Sequence, residues 1–294
     1  MAVHLKNDQV EIEIDLPGTN YRFSRFDWSG NIVNAWYKGH LFAGSESLDR
    51  SKDSFMGRGF YNEFGIQAPL GYKELPMGSW CHKIGVGLIR KVAEDYHFLS
   101  PYELQAIPYQ IDQNQQELKL QCQSSLIEGY AYRLEKTIAL KKDGFDIHYL
   151  LENTGTKDIQ TSEYNHNFIS IEKTPINQDY ILNFSFEIEP QGFDEFVNPE
   201  NKLLVEQRRI RFTDEPSKEF FISNISGGRS VKAQWTLEHE RLKLGLRETA
   251  NFMTEAINLW GTKHVISPEL FVVIDIVPGE QQRWTRSYDF FEIE

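Results

Sequence analysis

Two residues of this chain have the type and the setting that suit acid–base chemistry. His166 lies between two amides and two aromatic residues, and Glu280 directly follows Pro278-Gly279. A histidine beside aromatic rings can have its pKa adjusted toward neutral, which suits a general acid. A carboxylate held at the end of a rigid strand suits a general base, because geometry comes before pKa. Each feature alone has a simpler explanation, namely a core histidine bonded to the backbone and a solvated turn.

The elements that must position His166 are two short strands between Asp143 and Ile169. They are joined by a turn at Asn153-Thr154-Gly155. Side chains alternate along a strand, so the segment from Thr161 to Ser170 has two distinct faces. One face carries Tyr164, His166 and Phe168, and the other carries Glu163, Asn165 and Asn167.

The element that precedes Glu280 is a mostly apolar run from Leu270 to Val277. Such a run predicts a strand that is buried on both faces. Pro278-Gly279 then supplies the central residues of a type II turn, so Glu280 emerges just beyond the strand.

Period-two alternation of apolar and polar residues recurs along the whole chain and predicts half-buried antiparallel strands. The segment from Leu203 to Arg211 fits a helical turn or a strand equally well. Gly, Pro, Asn and Asp clusters separate the alternating segments, and no proline- or glycine-rich linker occurs. The sequence therefore predicts an all-β chain, a large antiparallel β-sandwich, with one domain over residues 1–294. The alternating segments include residues 10–16, 132–140, 145–152 and 242–247.

Composition narrows the classes of partner. The formal net charge is -12, which argues against nucleic acid or an anionic membrane as the main partner. No apolar segment is long enough to span a bilayer, and the N-terminus lacks the pattern of a signal peptide. Cys81 and Cys122 have no framework spacing, which fits a reducing compartment. We therefore expect a cytoplasmic protein. The sequence does not determine the oligomeric state.

Metal and nucleotide motifs are incomplete. His239-Glu240 lacks the second histidine of a zinc-protease helix, and Gly85-Val86-Gly87 lacks the third glycine of a dinucleotide site. We therefore predict no metal site.

The order of three motifs resembles the aldose 1-epimerase (galactose mutarotase-like) family. The motifs are Asn153-Thr154-Gly155, then residues 164–168, then Val277-Pro278-Gly279-Glu280 followed by Tyr288-Asp289-Phe290. The resemblance covers most of the chain, and it implies a large antiparallel β-sandwich that interconverts the α and β anomers of an aldose. By the resemblance His166 is the general acid and Glu280 the general base, and ring opening and closure need no cofactor.

The resemblance also implies residues that bind the sugar. His82 matches a histidine that orients the sugar, and Arg58, in Gly57-Arg58, matches an arginine that hydrogen-bonds sugar hydroxyls. The chain departs from the family where Asn62-Glu63 replaces an Asn-Arg pair. Trp260 could form an apolar platform against a pyranose face, although a core tryptophan is an equal alternative.

Three other functions fit the sequence. A hexose-phosphate mutarotase would need a basic pocket, which Lys83, Arg90 and Lys91 could supply. A lyase or hydrolase on a similar sandwich would use paired carboxylates or a metal. A non-catalytic sugar-binding protein would keep the pocket without the chemistry. The expected partner is in each case a carbohydrate, such as a monosaccharide or sugar phosphate.

Overall fold

Residues 2–294, described by a computed structural model, form 23 β-strands and three short 3-10 turns. The strands are numbered β1 to β23 in chain order, and nearly all of them belong to two large antiparallel sheets of ten strands each. The first sheet contains, in spatial order, β1 (Ala2–Lys6), β2 (Val10–Asp15), β3 (Asn31–Tyr37), β5 (Gly59–Phe64), β13 (Ile159–Phe168), β22 (Val265–Ile276), β21 (Ile257–Thr262), β18 (Phe220–Ile222) and β15 (Phe196–Val197), with β4 (His40–Leu41) paired to β3.

The second sheet lies against the first, and a small third sheet covers one part of the fold. The second sheet contains, in spatial order, β16 (Leu203–Val205), β17 (Arg209–Phe212), β14 (Tyr180–Phe184), β19 (Val231–His239), β20 (Leu244–Thr254), β23 (Gln281–Glu292), β12 (Gly144–Asn153), β11 (Tyr132–Lys141), β10 (Glu117–Gln123) and β9 (Gln110–Gln113). The third contains β6 (Trp80–Lys83), β7 (Gly87–Arg90) and β8 (Leu104–Ala106), and the 3-10 turns are Arg50–Lys52, Ile171–Lys173 and Pro190–Gly192.

Tight turns connect strands that are consecutive in sequence. β11 and β12 form a hairpin in which Lys141 pairs with Gly144, so only two residues make the turn. After β22 the chain reverses at Pro278-Gly279, where Gly279 has a φ of +84° and Glu280 N–H donates to the Val277 carbonyl at 3.1 Å. A positive φ at the second central residue defines the type II turn that the sequence predicts.

The core lies between the two large sheets and is rich in aromatic rings. Phe60 of the first sheet contacts Phe145 and Tyr288 of the second, with ring centroids 5.3 and 5.0 Å apart. All three residues are fully buried. Complete burial of such a side chain stabilises the fold by roughly 1.5–3 kcal/mol, so the aromatic layer holds the sheets together.

A charged network also crosses this core. Arg286 of β23 donates to Glu163 of β13 at 2.8 Å and to Glu248 of β20 at 2.9 Å, and all three side chains are fully buried. Burial would lower the pKa of Arg286, but the two carboxylates raise it above its usual value. The face of β13 that carries Glu163 therefore points into the core between the sheets. The face that carries His166 points away from that core.

The predicted fold class is confirmed, because the chain is nearly all β and its large sheets are antiparallel. The ambiguous segment from Leu203 to Arg211 lies in two strands, β16 and β17. β22 is buried on both faces only up to Val272, since Val273 is 71% exposed. Both large sheets draw strands from both halves of the chain, which supports one domain, and that assignment stays a prediction. Within residues 2–294, no helix has the length and apolarity needed to cross a membrane.

Candidate functional site

A cavity of about 530 Å³ opens on the outer face of the first sheet. A volume of 300–1,000 Å³ is typical of small-molecule sites. The lining combines strand residues with residues from the loops around β5 and between β7 and β8. The lining residues are Arg25, Glu46, Ser47, Met56, Ile66, Phe98, Leu99, Tyr164, His166, Phe168, Glu219, Phe221, Asn258, Trp260, Thr262 and Glu269.

Strand register brings the central residues of the cavity together. β13 and β22 pair Tyr164 with Phe271 and continue to Ile169 opposite Ile266, so His166 lies opposite Glu269. β22 and β21 in turn pair Glu269 with Asn258. Residues directly opposite in antiparallel strands point to the same face of the sheet. His166, Glu269 and Asn258 therefore form one row across the cavity floor.

His166 is held between two carboxylates. Its Nδ1 lies 2.9 Å from Oε1 of Glu269, and its Nε2 lies 3.2 Å from Oε2 of Glu63. The rings of Tyr164 and Phe168 flank it, with centroids 4.3 and 5.4 Å away. Burial would lower the pKa of His166, but Glu269 and then Glu63 outweigh it, so that the pKa is raised. The imidazolium form is therefore favoured in the folded protein.

Glu63 lies beneath His166 and is fully buried. Its Oε2 accepts from the Tyr164 hydroxyl at 2.9 Å, and the ammonium of Lys83 lies 3.5 Å from its Oε1. Burial would raise the pKa of Glu63, but Lys83, His166 and Arg25 together lower it to about 2. Glu63 therefore stays ionised and holds one nitrogen of His166, leaving Nδ1 for the cavity side.

Arg25 is the cationic side chain of a loop that lies against the same histidine. Its guanidinium lies 4.4 Å from the ring centroid of Phe26 and 4.6 Å from that of Phe98. It donates to Glu46 at 2.7 Å and to Glu63 at 3.2 Å, and it is 5% exposed. Burial would lower the pKa of Arg25, but Glu46 and Glu63 raise it above its usual value. Its charge is therefore matched by carboxylates of the protein itself.

Glu269 presents one oxygen to the cavity. Its Oε1 faces His166 and also accepts from the Ser267 hydroxyl at 3.2 Å. Its Oε2 has no hydrogen-bond partner among residues 2–294. A carboxylate oxygen free to accept a proton thus lies beside an imidazolium that can donate one.

The structure brings together two of the predicted site residues, His166 and Trp260. Trp260 lies on β21 and lines the cavity, where its ring is perpendicular to that of Phe168 with centroids 6.0 Å apart. Phe221 of β18 pairs directly with it and extends the aromatic surface.

The structure does not bring Glu280 to His166. Glu280 is exposed in the turn after β22, and its carbonyl accepts from Asn153 N–H at 2.9 Å. The seven residue-to-residue steps from Glu269 to Ile276 alone span roughly 23 Å at about 3.3 Å each. Glu280 and His166, the predicted base and acid, therefore lie far apart along the sheet. The carboxylate beside His166 is that of Glu269.

Arg58 and His82 also lie away from the cavity that contains His166. Arg58 lines a separate cavity of about 340 Å³ together with Asp15 and Asp53. His82 is buried on β6, where its Nε2 lies 3.1 Å from the carbonyl oxygen of Tyr130, and burial lowers its pKa. Its neighbour Lys83 does reach the site from beneath, through Glu63.

Three site residues were missed from the sequence. Glu269 lies in the buried part of β22, Val265 to Val272, and Glu63 lies in the buried strand β5, so each is a charged residue in a buried run. A buried charge requires a partner, and this was the available signal. Arg25 lies in a loop, and nothing in its local sequence indicates where it points. Among residues 2–294, no group of three or more His, Cys, Asp or Glu side chains is arranged to hold a metal ion.

Comparisons with known proteins place the fold. No protein-family model and no curated protein matches the chain. Solved structures do match it over its whole length. The Slr1438 protein from Synechocystis sp. PCC 6803 has a TM-score of 0.63 at 11% identity, covering 100% of this chain and 96% of that one. A galactose mutarotase-like protein from Lactobacillus casei ATCC 334 has a TM-score of 0.61 at 12% identity, covering 99% and 100%.

A third neighbour is a GalM/aldose epimerase homologue from C. elegans, with a TM-score of 0.55 at 11% identity and coverage of 100% and 99%. The fold of this chain is therefore galactose mutarotase-like. At these identities the likeness concerns the fold, and the activity must be argued from the site.

Proposed function

We propose that this protein is an aldose 1-epimerase-type isomerase that interconverts the α and β anomers of an uncharged sugar. The observation that carries the proposal is the contact of 2.9 Å between His166 Nδ1 and Glu269 Oε1 on the floor of a cavity with aromatic walls. An acid and a base in direct contact suit this reaction, since the two oxygens that exchange protons share one carbon, C1.

In ring opening, Oε2 of Glu269 accepts the proton of the C1 hydroxyl. Nδ1–H of His166 exchanges its contact with Oε1 of Glu269 for the ring oxygen and protonates it. The bond between C1 and the ring oxygen breaks, and C1 becomes the aldehyde carbon of the open chain. Glu63 keeps its hydrogen bond to Nε2 throughout and acts as a positioning residue.

Ring closure reverses the roles. After rotation about the C1–C2 bond, His166 takes the proton from the attacking hydroxyl, and Glu269 returns its proton to the former aldehyde oxygen. Each positioned proton transfer typically contributes 10²–10⁴-fold. No electrons are gained or lost, so the chemistry needs only the two side chains.

The charges around the cavity favour an uncharged sugar over a sugar phosphate. Arg25 is already matched by Glu46 and Glu63, and Glu219 and Glu269 add negative charge to the lining. Placing a phosphate among like charges raises its energy.

The basic residues considered for a phosphate site are engaged elsewhere. Lys83 donates to the Phe64 carbonyl at 2.6 Å, Lys91 donates to the Leu75 carbonyl at 2.9 Å, and Arg90 pairs with Glu103 at 3.1 Å. None of the three lines the cavity that contains His166.

The test is NMR saturation exchange between α and β anomers across a panel of aldoses and hexose phosphates. We expect saturable exchange faster than in buffer for at least one uncharged aldose, and its loss in His166→Asn. Exchange no faster than buffer for every sugar would reject the enzyme, and binding without exchange would identify a sugar-binding protein. Exchange with phosphates alone would reverse the substrate assignment.

A further inference from the structure

The cavity has two chemically different walls. The sheet wall consists of strand residues, which include His166, Glu269, Asn258 and Trp260, together with Glu219 just before β18. The loop wall consists of four apolar side chains from the segments before and after β5 and between β7 and β8. The four are Met56, Ile66, Phe98 and Leu99. A ligand that fills the cavity must contact both walls.

Of the polar side chains beside the loop wall, Glu46 and Arg25 are already engaged with protein groups. Both oxygens of Glu46 are used, one by Arg25 and one by the Gly57 N–H, each at 2.7 Å. The guanidinium of Arg25 is directed at Glu46, Glu63 and His166. Ser47 Oγ accepts from the Asp49 N–H at 3.2 Å, which leaves its hydroxyl proton free to donate. A sugar hydroxyl turned toward this wall would therefore exchange water for groups that offer little hydrogen bonding.

The sheet wall, in contrast, retains groups that can still bind hydroxyls. The Oδ1 of Asn258 accepts from Asn224 N–H at 3.1 Å, and its amide nitrogen has no partner among the described residues 2–294. Oε2 of Glu269 and the exposed carboxylate of Glu219 are likewise without a partner in that part of the chain. Most of the groups that can still bind hydroxyls therefore lie on one side of the cavity.

We propose that the substrate is a deoxy sugar, an aldose in which the hydroxyl that would face the loop wall is replaced by hydrogen. A hydroxyl removed from water without a partner is unfavourable, whereas a C–H or methyl group in the same place gains from apolar contact. Met56, Ile66 and Leu99 suit such a group, and the aromatic residues suit the C–H face of the ring. This inference rests on the proposed function, since it places C1 at His166 and Glu269.

The test compares each parent sugar with its deoxy analogues. Binding is measured by ligand-observed NMR titration, and turnover is measured by anomer exchange, for glucose and galactose beside their 2-, 3- and 6-deoxy forms. At least one deoxy sugar is expected to bind at least tenfold more tightly than its parent. Parents that bind as tightly as, or more tightly than, all their analogues would overturn the inference, as would a protein that binds none of them.

The two readouts separate this inference from the proposed function. Preference for a deoxy sugar without any exchange would uphold the substrate class and reject the catalysis. Exchange with a preference for the fully hydroxylated parents would uphold the catalysis and reject the substrate class.

A matched pair of surface variants tests the loop wall itself. Leu99 is 39% exposed and lines the cavity, whereas Leu126 is 60% exposed and does not, so neither change to Asn should unfold the protein. Leu99→Asn is expected to reduce the deoxy-to-parent affinity ratio several-fold, and Leu126→Asn to leave it unchanged. Equal ratios in wild type and both variants would exclude the loop wall as the source of the preference.

Discussion

Replacement of Glu269 by Gln separates the two carboxylates that could serve as the base. Gln has nearly the same shape as Glu. Its side-chain oxygen can still accept from Nδ1 of His166, which in the wild type lies 2.9 Å from Oε1 of Glu269. It cannot take up a proton at neutral pH. If Glu269 is the base, the variant should fold and bind sugar but exchange anomers slowly.

The expected loss follows from the role of the carboxylate. A positioned general base contributes about 10²–10⁴-fold, which corresponds to roughly 3–5 kcal/mol of transition-state stabilisation. The change also removes the strongest influence that raises the pKa of His166, so this pKa should fall. We therefore expect any remaining activity to lose its protonated acid at a lower pH than wild type.

Glu280→Gln is the matched control, because it makes the same chemical change in an exposed turn. Strand length alone separates that turn from Glu269 by more than roughly 20 Å, so less than a twofold change in exchange rate is expected. The assay is anomer exchange by NMR over a pH series, with thermal unfolding as a check on folding. Loss of exchange in Glu280→Gln with full activity in Glu269→Gln would refute the assignment.

Three further predictions follow from other residues. Glu63→Gln removes the carboxylate that pairs with the buried ammonium of Lys83 and should lower the free energy of unfolding by about 3–5 kcal/mol. Because the pKa of Glu63 falls from 4.5 to about 2 on folding, wild type should lose about 3 kcal/mol of stability as the pH falls between those values, as measured by denaturant titration, and a variant with the same acid sensitivity would contradict this. Trp260→Ala should raise KM about 3–10-fold with a smaller effect on kcat, because an aromatic face is lost from the cavity. Trp80→Ala is the control, because Trp80 lies outside that cavity, and equal effects of the two changes on KM would count against Trp260 as a platform for the sugar. Arg58→Gln should leave the exchange kinetics within twofold, because Arg58 lines a different cavity, and a large rise in KM would return it to the sugar site.

Local pattern was sufficient for the strands and for the two faces of β13. Tyr164, His166 and Phe168 line the cavity, and Asn167 on the other face donates to Glu248 in the core at 3.0 Å. The alternation of side chains between two faces follows from the backbone geometry of a single strand. It can therefore be predicted without knowing which strands pair with it. The turn at Pro278-Gly279 was predictable for the same reason.

The partner of His166 was not predictable in this way. Glu269 and Glu280 both belong to the segment around the last apolar run, and only strand register distinguishes them. Register depends on pairing across strands more than a hundred residues apart in sequence, and a shift along the sheet changes which residue meets His166. The resemblance directed attention to the turn, whereas pairing of β13 with β22 selects Glu269.

The sequence by itself determined that this is an all-β sandwich with a histidine on an aromatic strand face, and the family resemblance added the expectation of a carbohydrate partner. Tertiary structure alone decided that Glu269, Glu63 and Arg25 surround that histidine, while Glu280, Arg58 and His82 do not. Alternation is a property of one strand, but the charge state and partners of a buried side chain depend on groups that folding brings in from distant segments.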